Sequence, residues 1–191
     1  MRKIVAGLFM SLDGVVQDPQ DWHFPYFNDE MGASVGAQME AADTMLLGRL
    51  TYQGFAEYWA NAGPEVEMAE YMNATPKLVA SRTLTSVEWQ NSTLIEGDVA
   101  EELTKLKAQP GKNISITGSV VLVRSLIRAG VLDELVLLVH PIVVGKGQRL
   151  FEEMDEQVPL KLIGSKTFST GVLELTYAPA DPPAADAAGG A

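Results

Sequence analysis

The chain has 191 residues, a formal net charge of −11 and a sequence pI of about 4.6. Nucleic-acid binding needs a basic face, so this acidic balance argues against that class of partner. The absence of cysteine excludes disulfides and thiolate chemistry, and two histidines are too few to predict a His-rich metal site. An anionic cofactor stays compatible with the net charge, because salt screens charges more than roughly 8 Å apart.

The N-terminus carries Arg2-Lys3 before an apolar stretch from Ile4 to Leu12. A secretory signal peptide would also need a small-residue cleavage pattern, which Leu12-Asp13-Gly14 does not supply. No apolar run approaches the ~20 residues that span a bilayer. We therefore expect an opening strand here, and a cytoplasmic protein without a membrane partner.

The first part of the chain alternates between strand and helix patterns. Its predicted elements, in chain order, are a strand over 3–10, a loop from Ser11 to Phe27, a helix capped by Asn28, a strand over 44–48, a helix from Thr51 to Trp59, a short helix from Gly63-Pro64 and a strand over 77–81. Short apolar runs indicate buried strands, and apolar residues three or four apart indicate helices. The loop is long for a compact domain, which is typical of functional loops.

The second part continues this alternation and then departs from it. Its predicted elements are a strand over 92–95, a helix over 98–107 capped by Asp98 and Glu101, a strand over 113–117, a helix from Ser119 to Gly130, a strand within 132–144, and strands over 160–163 and 172–177. The helix after Ser119 is expected to bury Val120, Val123, Leu126 and Ile127. Pro141 lacks an N–H group, so the long strand must bulge or reach a sheet edge there.

Strands that alternate with helices predict an α/β fold with a mainly parallel sheet, covered on both faces. The last two strands predict an antiparallel C-terminal hairpin and hence a mixed sheet. We expect one domain over residues 1–178 and a disordered Ala/Pro-rich tail over 179–191. The acidic segment 152–156 is expected to be solvated surface. A homodimer would cover the exposed edges of the terminal strands.

Three apolar runs end in small or polar residues where a strand is expected to finish. These ends are Gly48-Arg49, Ser81-Arg82 and Thr117-Gly118-Ser119, and the first and third lead directly into predicted helices. Ligands of open α/β sheets bind at the carboxyl ends of strands, where helix N-termini offer N–H groups to phosphate. Two Arg side chains at neighbouring ends suit the 2′-phosphate that distinguishes NADP from NAD. Together the three ends predict a site for a phosphate-rich nucleotide.

Each of these ends also has a plain structural interpretation. Gly48 and Arg49 suit an ordinary turn followed by a solvated side chain, with Thr51 as the helix cap. Ser81-Arg82 suits a strand that ends in polar residues, and Ser119 suits an N-cap. The chain contains neither G-x-G-x-x-G nor a P-loop sequence. The combination, rather than any single motif, favours the nucleotide.

Longer stretches resemble the dihydrofolate reductase-like superfamily, in the branch related to the reductase domain of riboflavin biosynthesis. The matching stretches are S-L-D-G at 11–14, A-D-T at 42–44, G-R-L-T-Y at 48–52, the segment 118–126, A-G-V-L-D-E-L at 129–135 and P-I-V-V-G-K-G at 141–147. The resemblance implies a three-layer α/β/α fold and an NADPH-dependent reductase. It covers almost everything before the tail.

The same resemblance assigns the cofactor site. The assigned residues are Gly48, Arg49, Thr51, Ser81, Arg82, Thr117, Gly118, Ser119 and Val120, with Val5 and Ala6 near the nicotinamide. Riboflavin reductases tend to carry an acidic residue where this chain has Thr117, and the zinc-binding deaminase domain that accompanies them is absent from this sequence. The resemblance therefore identifies the cofactor half of the site more clearly than the substrate half.

The resemblance also places Asp13 in the catalytic cleft. When hydride reaches a C=N or C=O carbon, the heteroatom must gain a proton, and a nearby carboxyl group can relay it. The alternative is an ordinary Asp-Gly turn. Asp29 and Glu30 are rival acids, because in dihydrofolate reductases the acid lies on the helix after this loop.

The leading hypothesis is an NADPH-dependent reductase of a small unsaturated heterocycle or carbonyl, pterin-like or pyrimidine-like. The alternatives are a non-catalytic NADP(H)-binding module that acts as a sensor or assembly partner, and a protein that binds phosphorylated sugars. The aromatic residues from Trp22 to Phe27 either stack on a flat substrate or pin their loop to the core. His140 is expected to be a hydrogen-bonded structural histidine.

Overall fold

A computed structural model describes residues 1–152 and 157–180. The helices are α1 (Asp29–Glu40), α2 (Arg49–Trp59), α3 (Ala69–Ala74), α4 (Val99–Lys107) and α5 (Val120–Arg128). The strands are β1 (Ile4–Ser11), β2 (Ala42–Gly48), β3 (Lys77–Ala80), β4 (Ser92–Leu94), β5 (Asn113–Thr117), β6 (Glu134–His140), β7 (Leu160–Thr167) and β8 (Leu173–Pro179). Two 3₁₀ turns, Pro19–Asp21 and Phe24–Tyr26, lie in the loop after β1.

The described strands form one mixed sheet in the order β4-β3-β2-β5-β1-β6-β8-β7. The pairs from β4 to β6 are parallel, whereas β8 runs antiparallel to both β6 and β7. The predicted fold class is therefore confirmed, including the antiparallel C-terminal hairpin. Strands β4 and β7 are the two edges.

Alternation along the strands divides the core between the two faces of the sheet. On one face, Ile4 and Leu46 pack with Leu103 of α4 and Val123 of α5. On the other face, two apolar clusters lie beneath α1 and beneath α2 and α3, one around Met31 and the other around Met45 and Tyr52. The protein thus has three layers, and a cleft can open where the helices of one layer diverge.

Several predicted details of the helices are confirmed. The side chains of Asn28 and Asp98 cap α1 and α4, accepting hydrogen bonds from the N–H groups of Met31 and Glu101 at 3.0 Å. The four predicted inward residues of α5 are all buried. Gly130 follows that helix with a φ of 65°, as a terminating glycine does.

Other predicted boundaries are wrong. Helix α2 begins at Arg49 with Gly48 as its N-cap rather than opening at Thr51, and α3 begins at Ala69 rather than at Pro64. Strand β6 ends at His140 instead of bulging, because Pro141 cannot donate to a ladder.

The predicted acidic surface lies outside the described residues from 153 to 156, and the predicted tail lies outside them from 181 to 191. Within the described ranges, no helix has the length and apolar character needed to cross a membrane.

Candidate active site

The predicted strand ends meet in the middle of the sheet. Strand β2 lies between β3 and β5, and Gly48 at its carboxyl end is opposite Ala80 of β3. Ser81-Arg82 and Gly118-Ser119 therefore emerge on either side of Gly48-Arg49. Because parallel strands end at the same edge, residues far apart in sequence form one continuous surface.

The turns after β2 and β5 are hydrogen-bonded to each other. The hydroxyl of Ser119 accepts a hydrogen bond from the Gly48 N–H at 2.9 Å, and the hydroxyl of Thr51 accepts one from the Ser119 N–H at 2.9 Å. Gly118 adopts a φ of 60°, and a β-carbon there would lie 3.2 Å from Thr51. Thr51 and Ser119 thus join the two turns rather than capping their own helices.

The N-termini of α2 and α5 differ from those of the other long helices. Side chains cap α1 and α4, but among the described residues no side chain caps α2 or α5. The first N–H groups of an α-helix have no partner within the helix. Two uncapped helix starts, held side by side, offer donors and the positive ends of two helix dipoles to an anion.

Two arginines lie beside these helix starts. Arg49 and Arg82 are exposed, and Arg49 Nη1 donates to Gln53 Oε1 at 3.0 Å. Ser81 turns its hydroxyl to its own loop, accepting hydrogen bonds from the N–H groups of Thr83 and Leu84. Ser81 therefore shapes the turn that carries Arg82.

A cleft of about 2130 Å³ runs from these turns across the sheet. Its lining includes, among the predicted cofactor residues, Val5, Gly48, Arg49, Thr51, Ser81, Arg82, Thr117, Gly118, Ser119 and Val120. Ala6 is different: it is fully buried in the core on the opposite face. Its neighbour Gly7 lines the cleft instead, because side chains alternate along β1.

The aromatic loop after β1 is pinned to the core at one side and faces the cleft at the other. Trp22 and Tyr26 pack edge-on against His140, with ring centroids 5.2 and 5.7 Å away, and so pin the loop to β6. His23, Phe24 and Phe27 line the cleft.

His140 is a buried structural group, as expected. Its Nδ1 lies 2.8 Å from the Leu138 carbonyl oxygen, and the residue has no exposed surface. Burial lowers its pKa, so the neutral ring is favoured at neutral pH.

Asp13 lies outside the lining of the cleft, in a dense set of donors. Its carboxylate accepts hydrogen bonds from Ser11 Oγ at 2.6 Å and from the N–H groups of Val144 and Gly145 at 3.0 and 2.9 Å. The Ser11 hydroxyl and then the Val144 N–H lower the pKa of Asp13 to about 2. The carboxylate ties the end of β1 to the segment after β6, and it is ionised at neutral pH.

The rival acids also face away from the main cleft. Asp29 and Glu30 are exposed on the first turn of α1. Glu30 accepts hydrogen bonds from the N–H and hydroxyl of Ser169, which lower its pKa. Neither residue lines the cleft.

Sequence reasoning missed a buried acid that lines the cleft. Glu174 on β8 is buried and receives a hydrogen bond from the hydroxyl of Ser34 on α1. The alternation in the predicted strand gave no signal for Glu174. Leu173 and Leu175 flank it, so the pattern predicts that the two leucines face the core and that Glu174 faces solvent. In the structure Leu173 is the exposed neighbour.

The mixed sheet, its two helical layers and the paired turns define a dihydrofolate reductase-like α/β protein. The chain belongs to the family described as the RibD C-terminal domain, whose model matches residues 2–173. The predicted resemblance is therefore confirmed.

Relatives and solved structures agree with this assignment. The uncharacterized protein YyaP of Bacillus subtilis strain 168 is 32% identical over 182 residues, covering 92% of this chain and 94% of YyaP. The crystal structure of a candidate riboflavin biosynthesis protein from Shewanella sp. PV-4 is 22% identical with a TM-score of 0.76, over 94% of this chain and 99% of that one. Dihydrofolate reductase from Enterococcus faecalis, complexed with NADP(H) and RAB-propyl, is 17% identical with a TM-score of 0.60, over 94% and 97% of the two chains.

Proposed function

We propose that the protein is an NADPH-dependent reductase of a small unsaturated heterocycle or carbonyl, pterin-like or pyrimidine-like. The family and the fold indicate an oxidoreductase of the RibD or dihydrofolate reductase type. The observation that carries the cofactor assignment is the pair of uncapped helix starts at Gly48 and Ser119, with Arg49 and Arg82 beside them. This arrangement suits an extended, multiply phosphorylated ligand.

Each residue of the proposed cofactor site has a distinct part. The N–H groups at the starts of α2 and α5 would bind the pyrophosphate, and Gly118 leaves the backbone open to it. Arg49 and Arg82 would bind the 2′-phosphate through charge-assisted hydrogen bonds. Val5 and Gly7 of β1 line the cleft, and the nicotinamide ring would lie near them. The bound cofactor supplies the hydride.

The surroundings of Asp13 bear on its expected role as a proton relay. A proton relay must carry a proton at the working pH, whereas the donors around Asp13 favour its ionised form. Its catalytic role stays a prediction from the resemblance. Its contacts support a positioning role, in which it fixes the segment after β6 against the end of β1.

The cofactor assignment is tested by titrating the protein with NADPH and NADH and following nicotinamide fluorescence. We expect tight NADPH binding and weaker NADH binding in the wild-type protein. Arg49→Ala should weaken NADPH by about tenfold or more and NADH much less, because only NADPH carries the 2′-phosphate. Arg128→Ala is the matched control, since Arg128 is exposed at the end of α5 and outside the cleft.

Two outcomes would contradict the proposal at different levels. Equal weakening of both nucleotides by Arg49→Ala would remove Arg49 from the 2′-phosphate site. Absence of binding of either nucleotide to the wild-type protein would refute the reductase function while leaving the fold intact.

A further inference from the structure

A histidine lines the cleft without a part in the proposed cofactor site. His23 lies between the two 3₁₀ turns of the loop after β1, and it is 7% exposed. Its imidazole stacks on Phe9 of β1, with ring centroids 4.6 Å apart and an angle of 12° between the ring planes. The Phe24 ring packs against it with a centroid distance of 4.2 Å. These two phenyl rings hold the imidazole in one orientation at the wall of the cleft.

The strand that His23 packs on leads to the expected position of the nicotinamide. Val5, Gly7 and Phe9 alternate along β1, and all three line the cleft. Two residues of a strand span roughly 7 Å, so the stack of His23 on Phe9 adjoins the place proposed for the nicotinamide. Asp13, by contrast, lies outside the cleft lining. His23 is therefore better placed than Asp13 to meet a substrate in the cleft.

Two ring nitrogens in this aromatic cluster are buried without a hydrogen-bond partner among the described residues. They are Nδ1 of His23 and Nε2 of His140, and the two rings pack edge-on with centroids 6.1 Å apart. The Leu138 carbonyl oxygen can only accept, so neutral His140 carries its proton on Nδ1 and leaves Nε2 as an acceptor. Buried polar atoms normally have partners. The unused acceptor suits a charged His23, which has an N–H group at both of its nitrogens.

We propose that His23 is the catalytic acid of the reductase and donates a proton from Nε2 to the nitrogen or oxygen atom of the substrate double bond. As the C=N or C=O bond becomes single, its carbon gains the hydride that the cofactor supplies and its heteroatom gains this proton. The imidazolium thereby becomes neutral imidazole, and it regains a proton from water in the cleft. This inference rests on the proposed reductase function and adds a proton donor to it.

The surroundings of His23 set the pH dependence of this step. Burial, and then the neighbouring His140, lower the pKa of His23 from its ordinary value of 6.5. The charged ring becomes scarce above its pKa, so reduction should slow as the pH rises from about 5 to 8. Of the described rings that pack against His23, only that of His140 titrates; the others are Phe24, Phe27 and Phe9. The charged side chains elsewhere in the cleft lining are Asp18, Arg49, Glu67, Arg82, Glu134, Lys166 and Glu174.

Proton NMR of the histidine rings tests this assignment without a known substrate, because the chain contains only two histidines. The C2–H signal of His23 should titrate with a midpoint below 6.5, and it should shift when NADPH fills the cleft. His140 has no exposed surface and serves as the internal control, so its signal should stay that of a neutral ring throughout the titration. A His23 signal that does not titrate, or that does not move when NADPH binds, would overturn the inference.

His23→Gln supplies the kinetic test, because glutamine keeps a polar side chain but cannot donate a proton as an acid. NADPH oxidation is measured against a panel of pterins, pyrimidines and quinones. The variant should bind NADPH within a few-fold of the wild type, but it should reduce any compound that the wild type reduces about a hundredfold more slowly and without the pH dependence. Gln20→Ala is the matched control and should keep the wild-type rates, since Gln20 is an exposed residue of the same loop and also lines the cleft. Equal rates and equal pH profiles of His23→Gln and the wild type would refute the role of His23.

The NMR and binding measurements separate the two proposals. Absence of NADPH binding in the wild type refutes the reductase function itself. Intact NADPH binding with a silent His23 signal refutes only the assignment of the acid. If the wild type binds NADPH but reduces no compound of the panel, the NMR titration decides, and it requires no variant to fold.

Discussion

Gly118 offers a quantitative test of the paired turns, because the chain contains a glycine that serves as its control. Gly118 and Gly130 have φ values of 60° and 65°, so alanine is strained at both. A β-carbon at Gly130 meets nothing within 4 Å, whereas one at Gly118 lies 3.2 Å from both Cγ2 and Oγ1 of Thr51. The two substitutions share one backbone cost and differ only in crowding.

The magnitudes follow from these contacts. Left-handed backbone costs an L-residue about 1 kcal/mol, so Gly130→Ala should lose about that much free energy of unfolding. Gly118→Ala should lose the same plus about 1 kcal/mol, because the new methyl group displaces Thr51 from its hydrogen bond to the Ser119 N–H. The expected totals are therefore about 1 and about 2 kcal/mol, a difference of about 2–4 °C in melting temperature for a chain of this size.

Urea unfolding followed by circular dichroism measures both values, and NADPH titration gives the second readout. Gly118→Ala should weaken NADPH strongly, whereas Gly130→Ala should leave it unchanged. Equal losses of stability in the two variants would refute the reasoning on Thr51. Unchanged NADPH affinity in Gly118→Ala would refute the role of this turn in phosphate binding.

Two further predictions concern buried or clustered charges. Lys77 is 1% exposed, and its Nζ donates to the carbonyl oxygens of Met72 and Thr75 at the C-terminal end of α3 and lies 4.2 Å from the Trp89 ring centroid. Lys77→Met should therefore lower the free energy of unfolding by about 2–3 kcal/mol in urea titrations. Because burial lowers the pKa of Lys77 to about 8, the wild type should gain stability as the pH rises from about 8 to 10.5, and a Met variant that shows the same gain would contradict this assignment. Asp13→Asn should lower the melting temperature at pH 7. The pKa of Asp13 is about 2 in the folded protein and 3.8 in the unfolded chain, so the wild type loses the stability contributed by this carboxylate as the pH falls through that range. The Asn variant should not show this loss. Identical melting profiles of Asp13→Asn and the wild type across this range would refute the positioning role of Asp13.

Much of the fold can be predicted from the sequence, because the local patterns of caps, helices and strand ends agree with one another. Asn28 and Asp98 each stand before an apolar periodic segment, and both cap helices in the structure. Small and polar residues end three strands that turned out to be adjacent. A parallel α/β arrangement places such ends at one edge, so the position of the candidate site follows from the order of elements.

Contacts between distant residues could not be predicted in the same way. Thr51 looked like a cap for its own helix, yet its hydroxyl binds the N–H of Ser119, 68 residues away. Lys77 begins a strand, yet carbonyl oxygens at the C-terminal end of α3 and the Trp89 ring surround its ammonium group. Glu174 faces inward against the apolar alternation of its strand. In each case the residue that the side chain contacts belongs to another element, so no local sequence pattern predicts the contact.

The hydrogen bonds between the turns after β2 and β5 join helices of different layers. Helix α2 packs over Met45 and Leu47 on one face of the sheet, and α5 packs over Ile114 and Ile116 on the other. The reciprocal bonds of Ser119 and Thr51 connect their first turns directly around the end of the sheet. A ligand bound across both turns would therefore hold the two helical layers together. Its binding should slow amide hydrogen exchange throughout α2 and α5, and not only at the residues that contact the ligand.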